Sequence, residues 1–189
     1  MLASRSPRRR ALLDTLGIEH LADPAADDGP PVAGTPAERV LGHAYHKATT
    51  VAARHPRAWV LAGDTLVFLE GKDLPQPLDR EDADRMLRAL SGRVHEVWTG
   101  TVLCGPDGER FERAECAAVR FAAIPEADLD AWLASEEWRG KAGAYGIQDA
   151  GVKWASLESG SFGTVVGLDA DTVVALLQEA GLPSGRRGG

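Results

Sequence analysis

The chain has 189 residues, a formal net charge of −7 and 44% hydrophobic residues, enough apolar material for one core that needs no disulfide staples. The acidic balance argues against non-specific nucleic-acid binding, which needs a basic face, yet it leaves room for a small basic pocket. Two cysteines, Cys104 and Cys116, are too few for a disulfide framework or a zinc site, and no stretch reads as a signal peptide or a bilayer span. A reduced, cytoplasmic protein is expected, with no membrane and no nucleic-acid partner.

In chain order, residues 1–6 read as a strand and 8–17 as a helix. Between them lie Ser4, Ser6, Pro7, Arg8 and Arg9. Hydroxyls, unpaired first-turn N–H groups and two guanidiniums would meet at a helix N-terminus, a place that suits a polyanion. The same residues also suit a capped helix with two solvated arginines. Residues 21–36 form a loop that carries Asp23, Asp27 and Asp28. Thr35-Pro36-Ala37-Glu38 starts a second helix, which His55-Pro56 ends. Trp59 to Leu69 is an apolar strand interrupted by Gly63-Asp64-Thr65.

A turn over Glu70–Asp73 and a loop over Pro75–Pro77 lead into a helix from Arg80 to Leu90. Its apolar face is Ala83, Met86, Leu87 and Leu90. Val94 to Leu103 and Glu109 to Ala122 are strands joined by the turn Gly105-Pro106-Asp107-Gly108. A helix over Pro125–Ser135 follows. Next come a small-residue stretch over Gly140–Ile147, a short strand over Lys153–Leu157 and a loop over Gly160–Gly167. The last helix is Thr172–Ala180, and a frayed tail closes the chain. Helices alternate with strands, but one hairpin interrupts, so the fold class is α/β with a mixed sheet.

Asp64 is the first candidate for chemistry. A carboxylate inside an apolar strand is rare unless it is paired, hydrogen-bonded or metal-bound. Beside an anion site it suits either a divalent cation or the activation of water. It also suits a strand-end Asp bonded to a loop. Lys47 lies mid-helix, and His43 and His46 lie three apart on the same helix, a poor metal site without a third ligand. Gln148, in Lys141-Ala-Gly-Ala-Tyr-Gly-Ile-Gln148, offers a donor and an acceptor that could read a base edge.

These clusters, in this order, resemble the Maf family of nucleoside triphosphate pyrophosphatases. The matching pieces are L-A-S-R-S-P-R-R at 2–9, H-K-A at 46–48, G-D-T-L-V at 63–67, L-S-G-R-V-H-E-V-W-T-G at 90–100, K-A-G-A-Y-G-I-Q at 141–148 and G-S-F-G-T-V-V-G-L at 160–168. The resemblance implies a curved mixed sheet flanked by helices, with a deep nucleotide-binding cleft. It implies one domain over 1–183, or two lobes about one cleft, with a flexible tail over 184–189. It also implies hydrolysis of a nucleoside triphosphate between the α and β phosphates, with Mg²⁺ or Mn²⁺ as cofactor, and it allows a homodimer.

Carried across by position, Asp64 would be the general base and a metal ligand, and Asp28 the second metal ligand. Ser4, Ser6, Arg9 and Lys47 would bind phosphates. Arg8, Thr65 and Gln148 would set substrate choice, with Gln148 resembling the dTTP/UTP subgroup. Gln76 stands where the family usually has a phosphate-facing lysine, and Lys72 or Lys141 is the available substitute. Asp28 stands where the family usually has Glu, and Asp169 where it usually has Pro. The alternatives are a pyrophosphatase for other or methylated nucleotides, or a catalytically weak nucleotide-binding protein that acts in cell division.

Overall fold

The helices begin where the sequence places capping groups. Ser6 accepts a hydrogen bond from the Arg9 backbone N–H (3.4 Å) with Pro7 at the first helical position, which starts α1 (Pro7–Thr15). Thr35 and Glu38 form a reciprocal capping box at the head of α2 (Pro36–Ala52). Glu38 accepts from the Thr35 N–H at 2.7 Å and from its hydroxyl at 2.8 Å, and these bonds hold its carboxyl below the usual range. Further along come β1 (Val60–Leu69), β2 (Lys72–Leu74), α3 (Arg80–Leu90), β3 (Val94–Cys104), β4 (Arg110–Phe121) and α4 (Glu126–Ser135). A 3₁₀ turn (Ala142–Ala144), β5 (Ala155–Ser159), α5 (Phe162–Val166) and α6 (Ala170–Glu179) complete the order. The computed structural model describes residues 1–184.

The architecture is α/β. One five-stranded sheet has the order β2-β1-β3-β4-β5, with β1–β2 and β4–β5 antiparallel. Leu2 adds parallel bridges to Leu61 and Ala22. The chain forms two compact units. The first comprises Met1–Asp64, Thr99–Glu115 and the segment from Gly167; the second comprises Thr65–Trp98 and Cys116–Val166.

In the first unit, α2 buries Val40, Ala44, Ala48 and Val51, the i, i+4, i+8, i+11 stripe of an amphipathic helix. The alanines keep that face thin. Gly100 of β3 matches it, because a Cβ there would stand 2.6 Å from the Val40 backbone carbonyl carbon. Close approach on this scale requires glycine. A separate cluster in the same unit joins Leu2, Leu13, Leu61 and Leu103 to Leu176 of α6.

The second unit has an aromatic core. Phe121 packs edge-on against Tyr145 (4.8 Å between centroids), Trp154 (4.5 Å) and His95 (4.9 Å). Trp132 donates its indole N–H to the Ala144 carbonyl at 2.9 Å, as a buried indole should. His95 is 2% exposed. Its Nε2 lies 2.7 Å from the Tyr145 hydroxyl, while its Nδ1 is buried without a partner.

Four sequence expectations are corrected. Residues 1–6 are not a strand: pairing stops after Met1–Ala3, because Ser4 and Ser6 turn the chain into the α1 cap. Lys72–Leu74 is a strand rather than part of a turn. Left-handed Glu70 and Gly71 make the reversal, and two exposed charges at 72 and 73 hid the pairing. The loop over 160–167 contains α5, a five-residue helix whose small residues gave no periodic signal. The short strand is placed two residues later than expected. A flexible tail was expected over 184–189, frayed over 185–189, and residues 185–189 lie outside the described residues.

Burial pushes His95 down to about 4, below the ~6.5 of an exposed imidazole. The unfolded chain therefore binds this proton first as the pH falls, and folding loses stability between about pH 6.5 and 4. The loss should reach about 3 kcal/mol near pH 4. Urea unfolding across that range should show it, and a His95→Gln variant should show a shallower decline. An equally steep decline in the variant refutes the assignment.

Candidate active site

The N-terminal turn is built around one buried hydroxyl. Ser4 is 7% exposed. Its Oγ accepts from the Ser6 N–H and from Arg9 Nη1, both at 3.2 Å. Arg9 also donates from Nε to the Gly167 carbonyl at 2.7 Å. The Ser4 hydroxyl and the Gly167 carbonyl, both within the first unit, thus help to fix the guanidinium. Burial lowers its pKa, and the charge of Asp64 opposes that shift. Gly63 supplies the clearance: a Cβ there would lie 3.1 Å from Arg9 Nε. The neighbouring Arg8 has a buried Nε with no hydrogen-bond partner.

Lys47 projects from α2 to the same part of the first unit. Its Nζ lies 2.6 Å from Asp64 Oδ1 and 2.6 Å from Asp28 Oδ1. The Lys47 and Asp64 side chains are 13% and 19% exposed, whereas Asp28 is 74% exposed. The hydrogen bond from Lys47 is the main cause that holds the Asp28 carboxyl below its usual range, ahead of its partial burial, which acts the other way. Two carboxylates therefore converge on one cationic nitrogen.

That arrangement fits a hard divalent cation. Mg²⁺ commonly takes one or two carboxylates and completes its shell with water and substrate phosphates. Among the described residues no group of three or more His, Cys, Asp or Glu is placed to hold a metal; Asp28 and Asp64 are two carboxylates that meet at Lys47. His43 and His46 do not share a site. The His43 ring lies against the Asp28 carbonyl (2.8 Å) and the His46 ring against Asp27 Oδ1 (3.0 Å).

The remaining predicted residues lie in the second unit. Thr65 follows Asp64 in β1 and is half-buried. Gln76 is exposed in the loop after β2, which is anchored where the Pro75 carbonyl accepts from the Gly143 N–H at 3.1 Å. Lys72 is exposed on β2. Lys141 forms a close ion pair with Asp149 and stands 5.1 Å from the Trp132 ring centroid. Gln148 donates from Nε2 to the other oxygen of Asp149 at 3.0 Å.

Sequence reasoning missed Asp149, although its place directly after Gln148 and eight residues beyond a lysine was a signal. It also missed the role of the Gly167 carbonyl, since a backbone acceptor has no side chain to read.

Fold and site together define an α/β protein that gathers arginine, lysine, serine and two carboxylates in a manner suited to phosphate and a divalent cation. The family model described as "Maf-like protein" matches residues 1–180, and the chain belongs to the Maf family. A protein of Sphingopyxis alaskensis named dTTP/UTP pyrophosphatase is 43% identical over 98% of each chain. One of Myxococcus xanthus with the same name is 45% identical over 97% of this chain and 93% of its own. A solved structure from Mycobacterium abscessus, titled a nucleoside-triphosphatase / dITP/XTP pyrophosphatase, is similar over 96% of each chain at 17% identity and a TM-score of 0.45.

Replacing Gly63 with alanine should crowd the Arg9 guanidinium away from the Gly167 carbonyl. The expected loss of unfolding free energy is about 1–3 kcal/mol, read from urea midpoints at constant slope. Unchanged stability would mean that Arg9 is not held as described.

Proposed function

We propose that this chain is a nucleoside triphosphate pyrophosphatase of the dTTP/UTP type. It hydrolyses the α–β phosphoanhydride and releases the nucleoside monophosphate and pyrophosphate. The observation that carries the reading is Lys47 shared between Asp28 and Asp64 at 2.6 Å each, on a chain whose relatives bear that activity in their names.

Hydrolysis of a phosphoanhydride needs charge neutralisation and a positioned water more than covalent chemistry. Asp64 is assigned the role of general base. Its carboxylate takes a proton from water as the water oxygen bonds to phosphorus and the bond to the bridging oxygen breaks. Lys47, Arg9, Ser4 and Ser6 are assigned to the phosphate oxygens. Arg8, whose buried Nε has no hydrogen-bond partner of its own, is assigned with Thr65 and Gln148 to substrate choice. A bound divalent cation, Mg²⁺ or Mn²⁺, would supply further neutralisation of phosphate charge, held by Asp28 and Asp64.

Base choice is assigned to Thr65 and Gln148, with Asp149 setting the orientation of the Gln148 amide. The amide nitrogen donates to a carboxylate, so the carbonyl oxygen remains as the acceptor. An acceptor suits the N3–H of thymine or uracil and has no proton to meet at N3 of cytosine. Gln76 and Lys141 are assigned to substrate binding, with the Lys141 charge shared with Asp149. No helix among the described residues is long and apolar enough to cross a membrane. A cytoplasmic homodimer acting on free nucleotides, without a nucleic-acid or membrane partner, is the setting this reading expects.

Pyrophosphate release from a panel of triphosphates with Mg²⁺ or Mn²⁺ tests the assignment, with dTTP and UTP expected to lead. Tight binding without release, or release confined to purine or methylated nucleotides, would overturn it. Asp64→Asn should cut turnover by about a hundred- to ten-thousandfold while leaving the folded circular-dichroism spectrum unchanged; a fully active variant refutes the base. Asp149→Asn lets the Gln148 amide point either way, and the dTTP-over-dCTP ratio of kcat/KM should fall about tenfold, roughly one hydrogen bond of discrimination. An unchanged ratio removes Asp149 from base selection.

A further inference from the structure

Asp28 is a difficult residue to place by charge alone. It sits in a loop, its side chain is 74% exposed, and it stands 2.6 Å from Lys47 Nζ. An ion pair with one partner this exposed contributes about 0–1 kcal/mol, too little to order a loop backbone that costs about 1–2 kcal/mol per residue to fix. Something else must present this carboxylate.

The loop over 23–29 is fastened to α2 and the turn beyond it at several points. His43 faces the Asp28 carbonyl at 2.8 Å through Nδ1. A carbonyl only accepts, so His43 carries a proton on Nδ1. His46 faces Asp27 Oδ1 at 3.0 Å through Nε2, and the same oxygen accepts from the Gly29 N–H at 3.0 Å. Gly29 lies flat on the His46 ring, with φ of +84° and space so tight that a Cβ would approach the ring carbon Cγ to 2.5 Å. Further down, Arg54 donates to Asp23 Oδ2 and to the Pro24 carbonyl, both at 3.0 Å. His43, His46 and Lys47 are spaced i, i+3, i+4, so they lie on one stripe of α2. Two of them grip the backbone and neighbour of Asp28, and the third receives its carboxylate.

We propose that His43 and His46 are positioning residues, which clamp residues 27–29 onto α2 so that the Asp28 carboxylate stands beside Asp64 and can bind a divalent cation with it. The clamp itself is read from the geometry; its bearing on the cation rests on the functional reading above. The histidines touch neither phosphate nor the reacting atoms. They act by orienting a ligand, as partners of ligating groups do in metal sites generally.

The test uses the whole protein with Mn²⁺ alone as the probe, so that its outcome is separate from turnover. Four variants are compared. His43→Leu and His46→Leu remove the ring donors. His43→Asn and His46→Gln put an amide N–H near the lost Nδ1–H and Nε2–H respectively. The free Mn²⁺ signal in electron paramagnetic resonance gives the dissociation constant, and amide hydrogen exchange reports on residues 23–29.

Each leucine variant should raise the Mn²⁺ dissociation constant about tenfold or more and speed exchange in the loop. The amide variants should stay within about threefold of the parent, by the same scale. Leucine variants that bind Mn²⁺ like the parent, amide variants that lose as much as the leucines, or a parent that takes up no Mn²⁺ would each overturn the proposal. A parent that binds Mn²⁺ and shows the expected pattern, yet releases no pyrophosphate from dTTP, would leave the clamp standing and remove the pyrophosphatase reading instead.

Discussion

One ammonium group organises the first unit. Lys47 lies largely out of solvent between two carboxylate oxygens at 2.6 Å each. A lysine in such a place needs opposite charge, because desolvation of an isolated ammonium costs several kcal/mol. Asp64, mostly buried in β1, needs the same in reverse. The pair satisfies both, and Asp28 adds the second negative charge. Lys47 is carried by a helix whose own position is set by Gly100 and the small side chains of Ala44 and Ala48. A larger residue at any of these would lift α2 and take the nitrogen out of reach of Asp64.

Arg9 is a second fixed cation, held differently. Its partners include a neutral hydroxyl and a carbonyl oxygen, and the charge of Asp64 acts on it through space. Those neutral partners orient the guanidinium without cancelling its charge. The clearance left by Gly63 and the buried Ser4 beneath it keep the side chain in a single place. Preorganised charge of this sort does its work without reorganising when charge develops in a reaction.

The second unit uses a different economy of groups. Its core is aromatic, and Lys141, Gln148 and Asp149 are paired with one another. Asp149 takes a lysine on one oxygen and a glutamine amide on the other, which fixes the direction of an otherwise ambiguous amide. Buried polar pairs of this kind cost little when fully satisfied and specify one arrangement.

Much of this was legible in the chain itself. Helix starts at Ser6 and Thr35 follow from capping chemistry that spans three or four residues, and the α3 face follows from the period of Ala83, Met86, Leu87 and Leu90. Asp64 stood out because a carboxylate interrupts an apolar strand, a contrast visible in one dimension. The ordered run of motifs from Leu2 to Leu168 pointed to the family. Tertiary structure decided the rest. Lys47 looked like any solvated helix lysine until folding brought it to residues 19 positions before it and 17 after it. His43 and His46, a poor metal site by spacing alone, found their partners in the Asp28 carbonyl and the Asp27 carboxylate. Arg9 reached a carbonyl 158 residues away, and carbonyls have no side-chain identity to read. Local signals are written in neighbouring residues because capping and periodicity act over a single turn; partners across the chain are chosen by burial and close packing, which exist only once the core has formed.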